Sequence, residues 1–156
     1  MIQRIYIDTS VIGGCFDNEF EIWSNKLIEE IKSGQKNAVL SDITYREIEL
    51  APKYVQDKLF EIPEEFIQNI ITDAEVEELA ENYIKTGAVS RKFYEDALHI
   101  ANATIRKADI LVSWNFKHIV NIERIRKYNA VNLMFGYSAI EIRTPREILK
   151  EKDNEN

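Results

Sequence analysis

An aspartate that directly follows a predicted strand is the first residue of this sequence that could do chemistry. Asp8 comes after the apolar run 5–7 (IYI), whose strand-forming residues predict a buried strand, and before Thr9 and Ser10. In open parallel α/β sheets, ligands bind at the carboxyl ends of the strands, so Asp8 would lie where a ligand binds. The simpler interpretation, that Asp8, Thr9 or Ser10 only caps a following helix, stays open at this point, because all three are preferred N-cap residues.

A second acid lies on the apolar side of a predicted helix. Glu47 is four residues after Ile43 and three before Leu50, which places it on the apolar stripe, whereas Glu49 lies on the water-accessible face. A carboxylate among core-facing residues is costly unless it is paired, hydrogen-bonded or bound to a metal. Glu47 is therefore a candidate site residue, and the alternative is that it lies at the edge of the stripe and reaches solvent.

The alanine-rich segment 92–107 repeats this pattern. Asp96 shares an apolar stripe with Phe93 and Ile100, whereas Glu95 aligns with His99 on the face predicted to be polar. We therefore expect His99 to be exposed and not to be a metal ligand. The structural alternative for Asp96 is that its charge only stabilises the first turn of the helix.

The amide of Asn115 follows another predicted buried strand, at 110–113, and should lie at the same edge of the sheet as Asp8. Three carboxylates, Asp8, Glu47 and Asp96, could thus meet beside Asn115, and without an evident cationic partner they would raise each other's pKa. Mg²⁺ or Mn²⁺ would relieve this repulsion, because both prefer carboxylate oxygens and water as ligands. Such a cation would orient a phosphodiester and offset the charge that develops during its hydrolysis.

Alternating strand and helix patterns predict the scaffold that positions these residues. Strands are expected at 5–7, 38–40, 110–113 and 139–142, with 66–71 ambiguous between strand and loop. Helices are expected at 21–32, 44–51, 54–60, 73–87, 92–107, within 116–128 and after Thr144-Pro145, with a turn at Gly13-Gly14. The alternation predicts one three-layer α/β/α domain with a mainly parallel sheet at 1–149, followed by a charged tail at 150–156.

The charge of the chain is uneven. A net charge of −7 argues against a simple electrostatic nucleic-acid binder, yet the segment 61–81 holds acidic and no basic residues, whereas 106–127 is mainly basic. The basic segment could guide a phosphate backbone locally, and the alternative is that both segments form solvated helix faces.

The cysteine content and hydropathy of the sequence indicate a cellular location. A single cysteine, Cys15, excludes an internal disulfide and a cysteine-based zinc site. No apolar run approaches the roughly 20 residues needed to cross a bilayer, and no signal-peptide pattern is present. We expect a cytoplasmic protein that does not engage a membrane.

Taken in order along the chain, these motifs resemble the PIN-domain family of metal-dependent ribonucleases. The matching segments are 5–10 (IYIDTS), 41–48 (SDITYREI), 96–101 (DALHIA) and 108–115 (ADILVSWN), and 140–149 is similar to the closing strand and Thr-Pro segment of the family. The resemblance implies a PIN-like fold in which Asp8, Glu47 and Asp96 bind the metal. Asn115 stands where the family often has a further Asp, so this position brings an amide oxygen without a charge.

The resemblance also implies weaker contacts around these acids. Ser10 matches a polar position beside the first Asp, and Ser113 belongs to the motif that ends in Asn115. Lys117 and His118 follow directly and could touch phosphates, with a solvated face as the alternative. Trp114 could stack on a base, although a tryptophan at this edge more often packs on the core.

These observations lead to two functional hypotheses. The first is a Mg²⁺- or Mn²⁺-dependent endoribonuclease that hydrolyses RNA phosphodiesters; by resemblance it would be the toxin of a toxin–antitoxin pair, inhibited by an antitoxin protein and homodimeric. The alternative is a catalytically weak or inactive PIN-like module that binds RNA or protein, which the amide at Asn115 and the acidic net charge favour. A small-molecule hydrolase is disfavoured, because neither a Gly-x-Ser-x-Gly motif nor a phosphate-binding glycine loop is present.

Overall fold

Five strands form a single parallel sheet. The computed structural model of the protein describes the backbone of residues 1–153 and the side chains up to residue 149. The strands are β1 (Gln3–Ile7), β2 (Lys36–Ser41), β3 (Ile67–Ile70), β4 (Ile110–Val112) and β5 (Ile142–Arg143), in the order β3-β2-β1-β4-β5. Every neighbouring pair is parallel.

Eight α-helices occur within residues 1–153. They are α1 (Thr9–Gly14), α2 (Glu21–Lys32), α3 (Asp42–Glu49), α4 (Lys53–Phe60), α5 (Ala74–Lys85), α6 (Tyr94–Ile105), α7 (Ile122–Met134) and α8 (Pro145–Asp153). Short 3₁₀ turns at Glu64–Phe66 and Arg91–Phe93 precede β3 and α6. None of the described helices combines the length and apolarity that a membrane span requires.

The two faces of the sheet carry separate cores. Because successive strand side chains point to opposite faces, Tyr6 packs with α5, α6 and α7, whereas Ile5 and Ile7 pack with α1, α2, α4 and α8. Helices therefore cover both faces of the parallel sheet. Because the strands are buried on both faces, their residues are mostly apolar. The predicted three-layer α/β/α architecture is confirmed.

The strand order creates a crevice beside β1. The chain runs outward from β1 to β2 and β3, then returns to place β4 on the other side of β1, with Ile7 paired to Val112. Asp8 and Ser113 follow these paired residues directly and lie side by side. This is the topological switch point at which open α/β sheets bind ligands.

Local signals in the sequence define several helix ends as predicted. The Asp73 side chain accepts a hydrogen bond from the Val76 N–H and caps α5. Gly34, with a φ of +82°, follows α2 in the left-handed region that favours glycine. Thr144 and Glu147 hydrogen-bond to each other's backbone N–H groups and form a capping box at α8.

Other boundaries differ from the sequence-based predictions. The turn predicted at Gly13-Gly14 is instead the end of α1, where Gly14 lies against the buried Trp114 side chain. The helix predicted within 116–128 begins only at Ile122 and continues to Met134, and the last strand is Ile142–Arg143, not 139–142. The ambiguous segment 66–71 contains β3. The predicted tail begins within α8, which extends to Asp153, and its residues 154–156 lie outside the described part of the chain.

Candidate active site

Asp8 is buried and held by two serine hydroxyls. Ser10 Oγ donates to Asp8 Oδ1 and Ser113 Oγ donates to Asp8 Oδ2, both at 2.6 Å. The serine oxygens in turn accept the backbone N–H groups of Trp114 and Asn115 at 2.9 Å each. Asp8 precedes α1 without forming a side-chain cap, so helix capping does not explain this residue. Burial raises the pKa of the Asp8 carboxyl, although the two serine hydrogen bonds oppose the shift.

Glu47 projects from α3 toward the same edge of the sheet. Its side chain is 29% exposed, whereas Glu49 lies on the exposed face of the helix, as the helix pattern predicts. His99 Nε2 and Thr9 Oγ1 donate hydrogen bonds to the same oxygen of Glu47. Burial alone would raise the pKa of the Glu47 carboxyl, but the hydrogen bond and positive charge of His99 hold that pKa below its usual range.

His99 is the residue that the sequence-based prediction placed wrongly. We expected it on an exposed face, yet it is only 2% exposed and lies between Glu47 and Tyr6. The Tyr6 hydroxyl lies 2.6 Å from His99 Nδ1 and 2.7 Å from Ser41 Oγ. Burial on its own would lower the pKa of His99, but the Tyr6 oxygen and the Glu47 carboxylate raise it well above its usual value. The expectation that the acids lack a cationic partner is therefore also wrong for Glu47.

The helix that carries His99 explains this error. α6 packs against the sheet on one side and against α5 on the other, so its polar positions His99 and Asn102 are buried along with the apolar ones. A helix that is apolar on nearly all sides is typically buried, and the alanine, leucine and isoleucine residues on all sides of the segment 97–103 (ALHIANA) carried that signal. Tyr6 was a second signal, because a buried tyrosine hydroxyl usually has a hydrogen-bond partner.

Asp96 lies in the first turn of α6 and is half-buried, whereas Glu95 is exposed and pairs with Arg46. Burial raises the pKa of the Asp96 carboxyl to about 6, opposed by His99 and Asn115 and reinforced by the charges of Asp8 and Glu47. The expectation that the three acids raise each other's pKa therefore holds for Asp8 and Asp96, whereas the pKa of Glu47 is lowered because His99 lies beside it.

Asn115 lies in the loop that follows β4 and has two sets of contacts. Its Oδ1 accepts the backbone N–H groups of Lys117 and His118, at 3.2 and 3.0 Å. Its side chain also lies near Asp96 and lowers the pKa of that carboxyl. The amide oxygen is therefore engaged in turning the chain, while the side chain supports the acid next to it.

The donors at this edge are suited to a hard divalent cation in chemical type. Carboxylate and hydroxyl oxygens of Asp8, Asp96, Glu47 and the serines are what Mg²⁺ and Mn²⁺ prefer. In the described part of the chain, however, no three His, Cys, Asp or Glu side chains are close enough together to ligate one ion. Binding a metal through all three acids therefore requires a side-chain movement, most simply of Glu47 away from His99.

The loop after β4 separates the acids from a group of aromatic rings. Trp114 is buried, donates through Nε1 to Ser24 Oγ at 2.8 Å, and stacks on Phe20 with ring centroids 4.2 Å apart. Trp114 thus packs on the core and is not available to stack on a base, and the exposed ring of this loop is Phe116. A cleft of about 420 Å³ connects Ser10 and Asn115 to Phe20 and Trp114.

The other weakly predicted contacts follow Asn115 directly. Lys117 is exposed, and the His118 ring stacks on Phe93 with centroids 3.6 Å apart. Burial lowers the pKa of His118, and the nearby cations Arg124 and Lys117 lower it further. The Tyr128 hydroxyl donates to the His118 carbonyl at 2.7 Å and fixes the loop.

Comparison with solved structures identifies the fold. The chain is similar to VapBC2 of Rickettsia felis bound to a DNA fragment from its promoter, at 14% identity and a TM-score of 0.57, over 91% of this chain and 98% of the other. It is also similar to a toxin–antitoxin complex from Klebsiella pneumoniae, at 18% identity and 0.54, over 73% and 88% of the two chains. A third similar structure is VapC20 of Mycobacterium tuberculosis, a toxin that cleaves the sarcin–ricin loop, at 12% identity and 0.55, over 73% and 92%.

These structural matches are not accompanied by sequence matches. No protein-family model matches the chain, and no curated protein sequence does. At such low identities the likeness establishes the fold, which is that of the PIN-domain toxins.

Proposed function

We propose that this chain, which has the PIN-domain fold, is a divalent-metal-dependent endoribonuclease of the toxin type. The observation that carries the proposal is the grouping of Asp8, Glu47 and Asp96 beside the carboxyl ends of β1 and β4, where their charges act on one another. VapC20, one of the proteins with a similar structure, cleaves the sarcin–ricin loop, and this similarity supports RNA as the substrate class here.

The residues of this chain would divide the work in a defined way. Asp8, oriented by Ser10 and Ser113, and Asp96, beside Asn115, would bind Mg²⁺ or Mn²⁺, with Glu47 joining them. The bound cation would supply Lewis acidity, which lowers the pKa of water and offsets charge on the phosphate. The serine hydroxyls keep the Asp8 carboxylate in one orientation, because each is itself fixed by a backbone N–H group.

Two observations favour a second candidate, a PIN-like module that binds RNA or protein without cleaving it. The Asn115 oxygen is engaged by backbone N–H groups and carries no charge, and Glu47 is already compensated by His99. A site with two free acids holds a dication less tightly than one with four. Weak metal binding together with RNA binding would support this candidate over the nuclease.

Two finer proposals concern partners. We propose that an antitoxin protein inhibits the nuclease and that the chain forms a homodimer, supported by the similarity to toxin–antitoxin assemblies. Light scattering on the purified chain tests the dimer, and a monomer over the whole accessible concentration range would overturn it. Loss of RNA cleavage on adding the product of an adjacent gene would support the antitoxin.

RNA cleavage under controlled metal conditions tests the main proposal. The wild-type chain should cleave RNA with Mn²⁺ and not with EDTA, and Asp8→Asn should abolish cleavage while circular dichroism stays unchanged. Glu95→Gln is the matched control, because Glu95 is exposed and pairs with Arg46 at the surface. Cleavage that persists in Asp8→Asn would overturn the assignment of this site.

A further inference from the structure

The loop 115–118 separates two surfaces of opposite character next to the candidate active site. On one side lies an aromatic groove, defined by Phe20, Trp23, Trp114 and Phe116. Next to it lies a basic rim, defined by the cations Lys92, Lys117 and Arg124 around the His118 ring, whose lowered pKa leaves it neutral near pH 7. Both surfaces begin within three residues of Asn115, so a ligand at the acids would reach both.

The aromatic groove has a volume of about 290 Å³ and shares the lining residues Phe20 and Trp114 with the cleft beside Ser10 and Asn115. Most of its rings already have partners. Phe20 covers Trp114, and the Arg146 guanidinium lies 5.7 Å from the centre of the Trp23 ring. The available ring is Phe116, which is 50% exposed and 6.1 Å from Phe20 between centroids.

The groove also borders on two acids, Glu19 and Glu147. Their charges disfavour a phosphate inside the groove but do not disfavour an uncharged flat ring. Arg146 is the cation among the lining residues, and its guanidinium lies over Trp23, so the two acids still favour a nucleobase in the groove over its phosphate. The phosphate must lie on another surface close by.

The basic rim provides that surface. Lys92 Nζ lies 5.8 Å from the centre of the Phe93 ring, Phe93 stacks on His118, and Lys117 and Arg124 lie close enough to act on the His118 charge. These contacts link the side chains into one strip beside Asn115. Local cations of this kind offset the unfavourable net charge of −7 for a polyanion.

We propose that the loop 115–118 binds single-stranded RNA, with a base stacked on Phe116 in the aromatic groove and the flanking phosphates on the basic rim. This inference rests on the proposed function, which it deepens by assigning Phe116 as the ring on which a substrate base stacks. Aromatic platforms beside a cationic track bind single strands, because only unpaired bases expose their faces. Duplex RNA keeps its bases stacked and cannot use the groove.

Binding measurements in EDTA separate this proposal from the chemistry of cleavage. The probe is a short fluorescein-labelled single-stranded RNA of mixed sequence, followed by anisotropy, with its duplex and a copy carrying abasic positions as comparisons. Trp23 and Trp114 are the two tryptophans of the sequence and both line the groove, so base entry should also quench the intrinsic fluorescence.

The proposal predicts that Phe116→Ala weakens binding of the single strand about 5- to 100-fold, whereas Phe116→Tyr keeps most of it. The wild type should bind the abasic copy more weakly than the intact single strand. The wild type and Phe116→Ala should bind the abasic copy with the same affinity. Phe116 is half exposed, so both variants are expected to fold. The proposal would be overturned if the single strand, the duplex and the abasic copy bound equally well, or if Phe116→Ala left the affinity unchanged. It would also be overturned if an apolar peptide quenched the tryptophan fluorescence and RNA did not.

Charge-matched variants test the rim. Lys117→Gln should reduce the slope of log affinity against log salt by about 0.7, the value for one phosphate contact on a single strand. Lys107→Gln is the control, because Lys107 precedes β4 at the opposite edge of the sheet. Equal slopes for both variants would contradict the rim.

The two proposals fail in different ways. RNA binding that depends on Phe116 without metal-dependent cleavage would leave the loop assignment standing and overturn the nuclease. If Asp8→Asn abolished cleavage and Phe116→Ala left the RNA affinity unchanged, the nuclease proposal would stand and the loop assignment would be overturned.

Discussion

At the residue scale, the three acids differ in how their charges are compensated. Asp8 accepts two serine hydrogen bonds and Glu47 pairs with His99. The charge of Asp96 is the least compensated of the three, and burial together with the charges of Asp8 and Glu47 raises its pKa to about 6. A site built this way is poised to accept positive charge, and it lowers the stability of the metal-free protein.

Asp96→Asn should therefore stabilise the metal-free protein near neutral pH. Between the unfolded pKa of 3.8 and the folded pKa of about 6, the native state holds a proton that the unfolded state has lost, so the free energy of unfolding falls as pH rises. Removing this group should raise the free energy of unfolding at pH 7 by about 1–3 kcal/mol and flatten its pH dependence in that window. Urea unfolding from about pH 4 to 7 measures both. The control Glu95→Gln should stay within about 0.5 kcal/mol, and a loss of stability in Asp96→Asn would contradict the account.

His99 should make the free energy of unfolding depend on pH in a second window, at higher pH than that of Asp96. Its folded pKa is raised, so the stability from its charge is fully present below the unfolded pKa of 6.5 and is lost as pH rises through the folded value. The free energy of unfolding should fall above pH 6.5 in the wild type, and His99→Gln should remove that slope. Removing the partner of a partly buried acid should also cost about 2 kcal/mol at pH 6. An unchanged slope in His99→Gln would show that His99 is neutral in the native protein.

The sequence allowed the acids to be predicted but not their environment. Glu47 and Asp96 stood out because an acid on an apolar helix face is unusual, and Asp8 because it follows a buried strand. Which residues meet His99 depends on the packing of α6 between the sheet and α5, and no local pattern contains that packing. The roles of Ser10 and Ser113 likewise require β1 and β4 to be neighbours.

At the scale of elements, α1 packs closely against the loop after β4. A Cβ added to Gly14 would lie 2.6 Å from Ser24 Oγ and 2.8 Å from Trp114 Nε1, the two atoms that hydrogen-bond to each other. A Cβ added to Gly13 would meet nothing within 4 Å. These adjacent glycines therefore occupy very different environments.

Gly14→Ala and Gly13→Ala should change stability in opposite directions. Gly14→Ala separates Ser24 from Trp114 in a packed core and should destabilise by about 1–3 kcal/mol. Gly13→Ala should be neutral or stabilise by up to about 1 kcal/mol, because alanine favours the helix. Thermal unfolding of the pair measures the difference. Equal effects would mean that α1 does not pack against Trp114 as described.

Local sequence signals account for which element boundaries were predicted. α5 has its Asp73 cap, α2 is followed by Gly34, and both helices carry apolar stripes, so these boundaries follow from neighbouring residues. The start of α7 depends on the Asn121 side chain, which accepts the N–H groups of Glu123 and Arg124 and which the apolar pattern did not reveal. β5 has two residues and exists because it pairs with β4, so it left no periodic pattern.

At the scale of the whole molecule, alternation of strands and helices predicted the layers but not the strand order. The neighbours β1 and β4 are about a hundred residues apart, with Ile5 paired to Ile110, and this pairing creates the crevice that holds Asp8. Residue patterning alone did not predict the PIN-like fold; the family resemblance did, and the structural comparisons confirm that fold.

Metal binding should stabilise the folded chain as a whole. A ligand that binds only the native state adds about 2.7 kcal/mol at a hundred times its dissociation constant, which should raise the unfolding temperature by several degrees. Thermal unfolding with rising Mn²⁺ measures this shift for the wild type and for Asp8→Asn. A shift of equal size in Asp8→Asn would place the cation elsewhere.

Calorimetric titration of Mn²⁺ into the wild type and into Asp8→Asn tests the central claim most directly. The account predicts micromolar to submillimolar binding to the wild type, because the acids around Asp8 lack enough positive charge of their own. The same titration of Asp8→Asn should show no binding. The absence of binding to the wild type, or equal binding to both, would contradict the metal-dependent nuclease and leave the non-cleaving module as the better account.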